Sequence, residues 1–279
     1  MKIKVENYLG QQLNLNDGFD VIDVAGLIPS GATINTSTAG IADGTFFNSS
    51  YTNQRNIVLT IVPQGDAEAN RLTLWKYFKP KYKVRLYFKT KTRNVYIDGY
   101  VEGIEGSPYS AKAVYQVSVI SPNPFFTDLK PIIYEQTYIS DGFMFPVSFP
   151  ESGIVLGDIT EGTVVDAENR GEETSGLVIE IQADNSVINP KIYNTSTREF
   201  TEIDISIGTG DSIVIDSRRG SKTITLYRNG EAINILNKMS RDSDWISVDQ
   251  GENLFTFTCD YGAPNMKVLY KIYTLYEGV

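Results

Sequence analysis

Glu202-Ile203-Asp204-Ile205-Ser206-Ile207, the turn Gly208-Thr209-Gly210-Asp211, then Ile213-Val214-Ile215 and Thr223-Ile224-Thr225-Leu226-Tyr227 leading into Asn229-Gly230 decide the class of fold. The first run alternates polar and apolar side chains with period two, which predicts a half-buried strand with three Ile on one face. Asn229-Gly230 between two strand-like runs predicts a two-residue hairpin, because a type I′ turn needs positive φ at both central positions. Working outward, the same periodicity predicts a strand at the start of the chain (Lys2-Ile3-Lys4-Val5-Glu6) and further strands at 20–28, 55–62, 83–89, 94–104, 112–120, 177–182, 254–259 and 267–276. Turn signals recur about every ten residues, as in sandwiches and barrels. One segment departs from this. Residues 66–79 open on an N-cap residue, Asp66, stop before Pro80 and hold good helix formers between, so a helix is expected there. Ala69, Leu72 and Trp75 fall on one stripe, predicted to pack on a neighbouring sheet. The expected fold is mainly β: an α+β first domain with one helix and an all-β second domain.

The chain has 279 residues, no His, one Cys and a net charge of −9. At 41% hydrophobic it has a globular composition, and its length suggests two domains. Without His, the Ser–His–Asp and Cys–His nucleophiles, His-ligated zinc and an imidazole proton shuttle are excluded. A single Cys259 excludes an internal disulfide and a thiolate metal cluster. The first residues alternate charged and apolar side chains and do not read as an export signal. The longest apolar stretches are a handful of residues, such as Ile57–Val62, far below the ~20 residues that span a bilayer. A cytosolic chain, or one released by lysis, is the expectation, and the Asn-X-Ser/Thr matches at Asn35, Asn48 and Asn194 then carry no meaning.

Charge divides the chain. Residues 1–129 hold 13 Lys and Arg against 11 Asp and Glu, a net of +2; residues 130–279 hold 12 against 23, a net of −11. The step follows the break Ser121-Pro122-Asn123-Pro124, which places a domain boundary near residue 130, giving domains 1–129 and 130–279. Residues 66–100 carry nine basic and three acidic side chains, interleaved with Trp75, Tyr77, Tyr82, Tyr87 and Phe88. Such a segment could contact nucleic acid. The plainer reading is the solvated face of a helix and two strands, and the overall acidic balance favours it.

Catalytic patterns are sparse. There is no phosphate-binding loop, and Gly208-Thr209-Gly210 lacks both a third Gly and a strand–helix setting. Asp242, Asp244, Asp249 and Glu252 are the best oxygen-ligand cluster, but turn carboxylates of this kind are common at surfaces. Glu102/Glu105 and Glu172/Glu173 are the carboxylate pairs left for acid–base work, and they read better as solvated strand ends. Cys259 reads as core filling. Trp245, beside Ile246, reads as core or as a platform for a sugar ring in a carbohydrate-binding sandwich. Residues 29–54 stand apart: rich in Gly, Ser, Thr and Asn, they still carry Phe46, Phe47 and Tyr51. An arm burying those rings against its own domain and one burying them against a neighbouring subunit are both open.

Several stretches resemble one family. They are Trp75-Lys76-Tyr77-Phe78-Lys79-Pro80, Arg93 through Glu105, and Gln116 through Phe126 in the first half. In the second half they are Asn169-Arg170-Gly171 before Leu177–Ile181, Asn189-Pro190-Lys191-Ile192, Gly210 through Asp216, Ser243-Asp244-Trp245 and Gly251-Glu252-Asn253. In order and spacing they are similar to the distal tail proteins of long-tailed bacteriophages, over most of the chain. The resemblance implies a non-enzymatic virion protein without metal or cofactor: a ring-forming, β-sandwich-like N-terminal domain with one helix and a peripheral, galectin-like C-terminal β-sandwich. It implies a homohexameric hub at the tail tip, assembled in the host cytoplasm, joining the tail tube to a tail-associated spike or lysin and in some phages carrying receptor-binding proteins. Neither nucleic acid nor membrane is an implied partner. In that setting Phe46, Phe47 and Tyr51 become the candidate subunit-interface arm. Gly171-Glu172-Glu173 departs from the Gly-Asp associated with the family, and 130–279 has no room for an inserted sugar-binding module. The alternative function is a carbohydrate-binding module for host cell-wall polysaccharide, using Trp245.

Overall fold

A computed structural model describes residues 1–38, 40, 43–108, 113–137 and 164–279. The chain forms two compact units, Met1–Leu129 with Leu275–Val279, and Lys130–Thr274. It is mainly β, as the sequence predicts, with one α-helix among the described residues.

The first unit contains β1 (Lys2–Glu6), β2 (Gln12–Asn14), β3 (Phe19–Ala25), β4 (Ala32–Thr38), β5 (Thr45–Thr52), β6 (Arg55–Pro63), α1 (Ala67–Tyr77), β7 (Lys83–Lys89), β8 (Asn94–Gly106), β9 (Tyr115–Ser121) and β10 (Phe126–Asp128). Its main sheet runs β2-β1-β7-β8-β9-β6-β3. A flat sheet at about 4.8 Å per strand would hold its outer strands roughly 29 Å apart. Only Leu15–Gly18 separate β2 from β3, and five Cα steps reach about 18 Å at most. The sheet must therefore curl. Strand β8 serves both halves: Asn94–Tyr100 pair with β7 and Tyr100–Gly106 with β9, with a register shift after Val101. The alternation read in 55–62 fills the core side with Ile57, Leu59 and Ile61, fully buried beside Leu86, Phe88 and Val117.

The helix starts where expected, with the Asp66 carboxylate accepting from the Ala69 N–H at 3.0 Å. Its buried face is not the predicted one. Leu74 and Phe78 are fully buried, while Leu72 is 51% and Trp75 43% exposed. Apolar residues flank both sides of this helix, so two stripes were available. The i, i+4 pair Leu74–Phe78 is the one drawn into the core, where each side chain stabilises by about 1.5–3 kcal/mol. The Tyr77 hydroxyl, donating to the Gln12 carbonyl at 3.2 Å, fixes the rotation.

The second unit contains β11 (Ile132–Thr137), β12 (Val165–Asn169), β13 (Ser175–Ala183), β14 (Val187–Ile188), β15 (Lys191–Asn194), β16 (Glu199–Glu202), β17 (Ser206–Ile207), β18 (Ser212–Asp216), β19 (Thr223–Arg228), β20 (Glu231–Asn234), β21 (Ser247–Val248), β22 (Gly251–Thr258) and β23 (Met266–Ile272). The larger sheet runs β11-β23-β13-β18-β19-β20 and the smaller β12-β22-β15-β16. Side chains of both, among them Ile179, Ile215 and Tyr270 with Ile192 and Phe255, share one core. The Asn229-Gly230 hairpin forms as predicted: Arg228 pairs Glu231, with φ of 55° and 82° at the two turn residues. The run 202–207 differs from the single strand expected. Ile203 and Ile207 are buried and Ile205 packs on the core, but the ladder breaks: Glu202 ends β16, and Ser206 pairs with β14. Alternation reports which side is buried, not which strand the backbone bonds, so it is blind to a chain that changes sheets.

The last strand, β24 (Leu275–Tyr276), returns to the first unit. Phe126 pairs Tyr276 and Thr127 pairs Leu275. The chain thus leaves the first unit after β10 and re-enters it on the strand paired with β10, and residues 275–279 lie in the first unit, not with 130–274.

Candidate assembly site

Strands β4 and β5 form a two-stranded ribbon of their own. Polar cross-strand bonds hold it: Thr33 Oγ1 donates to Asn53 Oδ1 at 2.9 Å, Asn35 Nδ2 to Ser49 Oγ at 3.0 Å and Ser37 Oγ to Asn48 Oδ1 at 3.2 Å. The candidate interface residues sit on it with their rings in solvent: Phe46 is 62%, Phe47 65% and Tyr51 58% exposed. Within the chain, these rings are therefore not buried against their own domain. The register distributes them. Thr36 pairs Phe47 and Ser37 pairs Phe46, while Ile34 pairs Ser50 and Thr33 pairs Tyr51, with a shift after Asn35. Paired residues share a face and neighbours alternate. One face therefore carries Ile34 and Phe47, and the other Phe46 and Tyr51.

The ribbon grows from a fixed root. Arg55, 3% exposed, is the first residue of β6 beyond the ribbon. Its Nη1 donates to the Gly26 and Ile28 carbonyls, both at 2.6 Å. Nε donates to the Pro124 carbonyl and Nη2 to the Glu277 carbonyl, both at 2.5 Å. The cation also lies 4.6 Å from the Phe126 ring centroid. Burial pulls this guanidinium down from its ordinary pKa, with the Glu277 charge opposing. Gly26 has φ of 87°, and a Cβ there would lie 2.1 Å from the Asn56 carbonyl oxygen, so only glycine fits this root. The C-terminal residues complete it: Val279 N donates to the Leu27 carbonyl at 3.0 Å, and Arg93 Nη1 donates to the Gly278 carbonyl. Neither Arg55 nor residues 277–279 was singled out from sequence. A buried arginine satisfied by four backbone carbonyls from three segments leaves no side-chain pattern to find.

Much of the basic charge at 66–93 is engaged inside the fold. Arg71 pairs with Glu68 at 3.7 Å and stacks near Trp75, while Lys79 stands 4.6 Å from the Tyr82 ring. Arg85 grips Asp98 with two bonds of 2.6 and 2.9 Å, and Lys83 reaches the same carboxylate at 2.9 Å. Burial works against the Asp98 charge, but Arg85 and Lys83 prevail and hold its pKa below the usual carboxylate value. A carboxyl group held low when folded contributes stability above its unfolded pKa, about 3.9, and loses it as pH falls through the folded value. Asp98→Asn should accordingly lower the urea midpoint at pH 7, with the gap to the parent narrowing below about pH 4. A gap independent of pH would show that the ion pair adds nothing.

The other candidates fall apart as sites. Glu102 and Glu105 are exposed, and Glu102 accepts from Ser118 Oγ at 2.7 Å. Asp249 accepts from Thr174 Oγ1, and no group of three or more His, Cys, Asp or Glu among the described residues is placed to hold a metal ion. Burial raises the Cys259 thiol pKa, and its side chain packs on the second unit's core. Trp245 also packs on that core, with Lys222 Nζ 5.5 Å from its ring centroid. Three of the motifs prove to be structural staples. Asn169 Oδ1 accepts from Gly171 N, and its Nδ2 donates to the Val248 carbonyl. Buried Asn253 accepts from Asp249 N and donates to the Asp249 carbonyl, and Asp211 binds Arg228 and Gly208 N. Around Glu172 and Glu173 the observed anchor is the Glu173 carbonyl, which accepts from Asn169 Nδ2.

Residues 170–272 match the family model of the siphovirus-type tail component, C-terminal domain. No curated protein matches the chain in sequence. Among solved structures, the Dit protein of phage SPP1, described as a paradigm of hub adsorption apparatus in Gram-positive infecting phages, aligns with a TM-score of 0.70 at 13% identity, over 97% of this chain and 98% of its own. A chain of the phage P2 baseplate, activated with Ca, aligns with a TM-score of 0.59 at 13% identity over 100% and 99%. Its counterpart with Sr gives 0.57 at 12% identity, again over 100% and 99%. Residues 170–272 are thus similar to the siphovirus-type tail component's C-terminal domain, and the chain shares along its whole length the fold of the SPP1 distal tail protein Dit.

Proposed function

We propose that this chain is a structural, non-enzymatic subunit of a phage tail tip, a distal hub that works through protein–protein contacts in a homohexameric ring. The observation that carries the reading is the ribbon β4–β5, a largely polar pair of strands with solvent-exposed aromatic rings on both faces, held at its root by a buried arginine. A two-stranded ribbon is marginal in water unless something covers a face. An arm that reaches from one copy to the next supplies the cover and makes a heterologous contact, which closes into a ring when the rotation divides a full turn. The first unit, 1–129 with 275–279, is the ring former, and the second is the sandwich that faces other tail components. The partners in this reading are the tail tube protein and a tail-associated spike or lysin, with receptor-binding proteins in addition; assembly takes place in the host cytoplasm. The sugar-binding alternative gains no support from Trp245, which serves the core. The mass of the purified protein tests the proposal: a ring gives six copies, and a chain that never exceeds one copy contradicts it.

A further inference from the structure

We infer that the outer face of α1, carrying Ala69, Leu72 and Trp75, is the seat for the β4–β5 ribbon of a second copy of this chain. The inference rests on the ring reading and names the receiving surface. The three residues lie at i, i+3 and i+6, one stripe of a helix. The chain's own core leaves that stripe open: it takes Leu74 and Phe78 instead, with Leu72 and Trp75 each about half exposed. Each copy therefore holds two uncovered apolar surfaces of different shape, a flat ribbon and a helix ridge. In a heterologous ring every copy gives one ribbon and receives one, so the helix stripe and one face of the ribbon are covered in every copy.

Size and charge agree. An 11-residue helix is about 16 Å long, and strands of seven and eight residues reach roughly 24 Å, so the ribbon spans the whole ridge. Between Pro29 and Gln54 the single charged residue is Asp43, and the stripe is flanked by Arg71 and Lys76. Nothing on the ribbon opposes those cations. Arg71 already lies 5.2 Å from the Trp75 ring centroid.

The single Cys259 makes a clean cross-linking test. In a Cys259→Ser background, Glu68→Cys marks the helix face. Thr36→Cys and Ser49→Cys mark the two ribbon faces while leaving every aromatic ring in place. A helix variant mixed with each ribbon variant, oxidised mildly and run on a non-reducing gel, should give a mixed dimer with at least one ribbon face. A control pair of Glu68→Cys with Tyr261→Cys, exposed on the second unit, should give none. A sample that is oligomeric by native mass spectrometry but forms no mixed dimer overturns the seat and leaves the ring standing. A sample that is monomeric and forms no mixed dimer overturns both. Equal cross-linking by the control overturns the seat. As an independent reading, Trp75 emission in a Trp245→Phe variant should shift to the blue on assembly; an unshifted spectrum in the oligomer also overturns it.

Discussion

Arg55→Met should destabilise the first unit by about 3–5 kcal/mol, at the upper end of what single substitutions do. Methionine keeps an apolar stem of similar reach, so the loss is that of the fork. Four carbonyls, from Gly26, Ile28, Pro124 and Glu277, lose their donor at once. A hydrogen bond to a charged group contributes about 1.5–3 kcal/mol, and the Pro124 carbonyl, whose bond is buried, is left without a donor. The contributions are not additive, which keeps the total well below four times that range. Arg55→Lys should recover only part of the loss, because an ammonium has three donors and no planar fork. Urea unfolding followed by Trp75 emission, in a Trp245→Phe background, reads the first unit alone. A shift under about 1 kcal/mol would mean that the root is held by packing and not by this arginine. The same variant should loosen the arm and the C-terminal residues together, since both hang on one guanidinium.

The second large effect is on assembly. Phe46→Ser with Phe47→Ser should weaken the ring while each unit stays folded. Both rings are more than half exposed in the single chain, so their removal opens no cavity. Each would stabilise the interface by about 1.5–3 kcal/mol if covered by a neighbour. The two face opposite sides of the ribbon, so full coverage of both is the upper limit, and a loss of about 3 kcal/mol per contact is the expected scale. That is on the order of a 100-fold weakening at every contact around the ring. Sedimentation across a concentration series would show the variant dispersing where the parent stays closed. A variant that assembles like the parent, with an unchanged urea midpoint, would remove the arm from the interface.

What could be read from sequence was whatever has one buried face. Ile57, Leu59 and Ile61 announce β6, and Asn229-Gly230 announces the hairpin, because burial alternates with the pleat and the turn needs positive φ. The ribbon could not be read as strands for the same reason. Thr33, Asn35 and Ser37 alternate with nothing, since both faces of β4 lie in solvent. Only the contrast of Phe46, Phe47 and Tyr51 with their polar surroundings betrayed a role, and Ile34, single on its strand, gave no such contrast. The helix was legible in type and in its start but not in rotation, since apolar residues on two sides leave tertiary packing to choose. Arg55 and residues 277–279 were beyond reach, because the bonds that join them to the root run through backbone atoms distant in sequence. The motifs that carried the family resemblance turn out to include Asn169, Asp211 and Asn253, side chains that satisfy buried turns in the second unit.

Native mass spectrometry of the purified chain shows whether identical subunits close into a ring. Six copies of a 31.1 kDa chain give a species of ~187 kDa. That species is expected, with no ladder of open oligomers beyond it, because a heterologous contact that closes leaves no free end. A protein that stays at the mass of one chain at every concentration, with its two units folded, would contradict it.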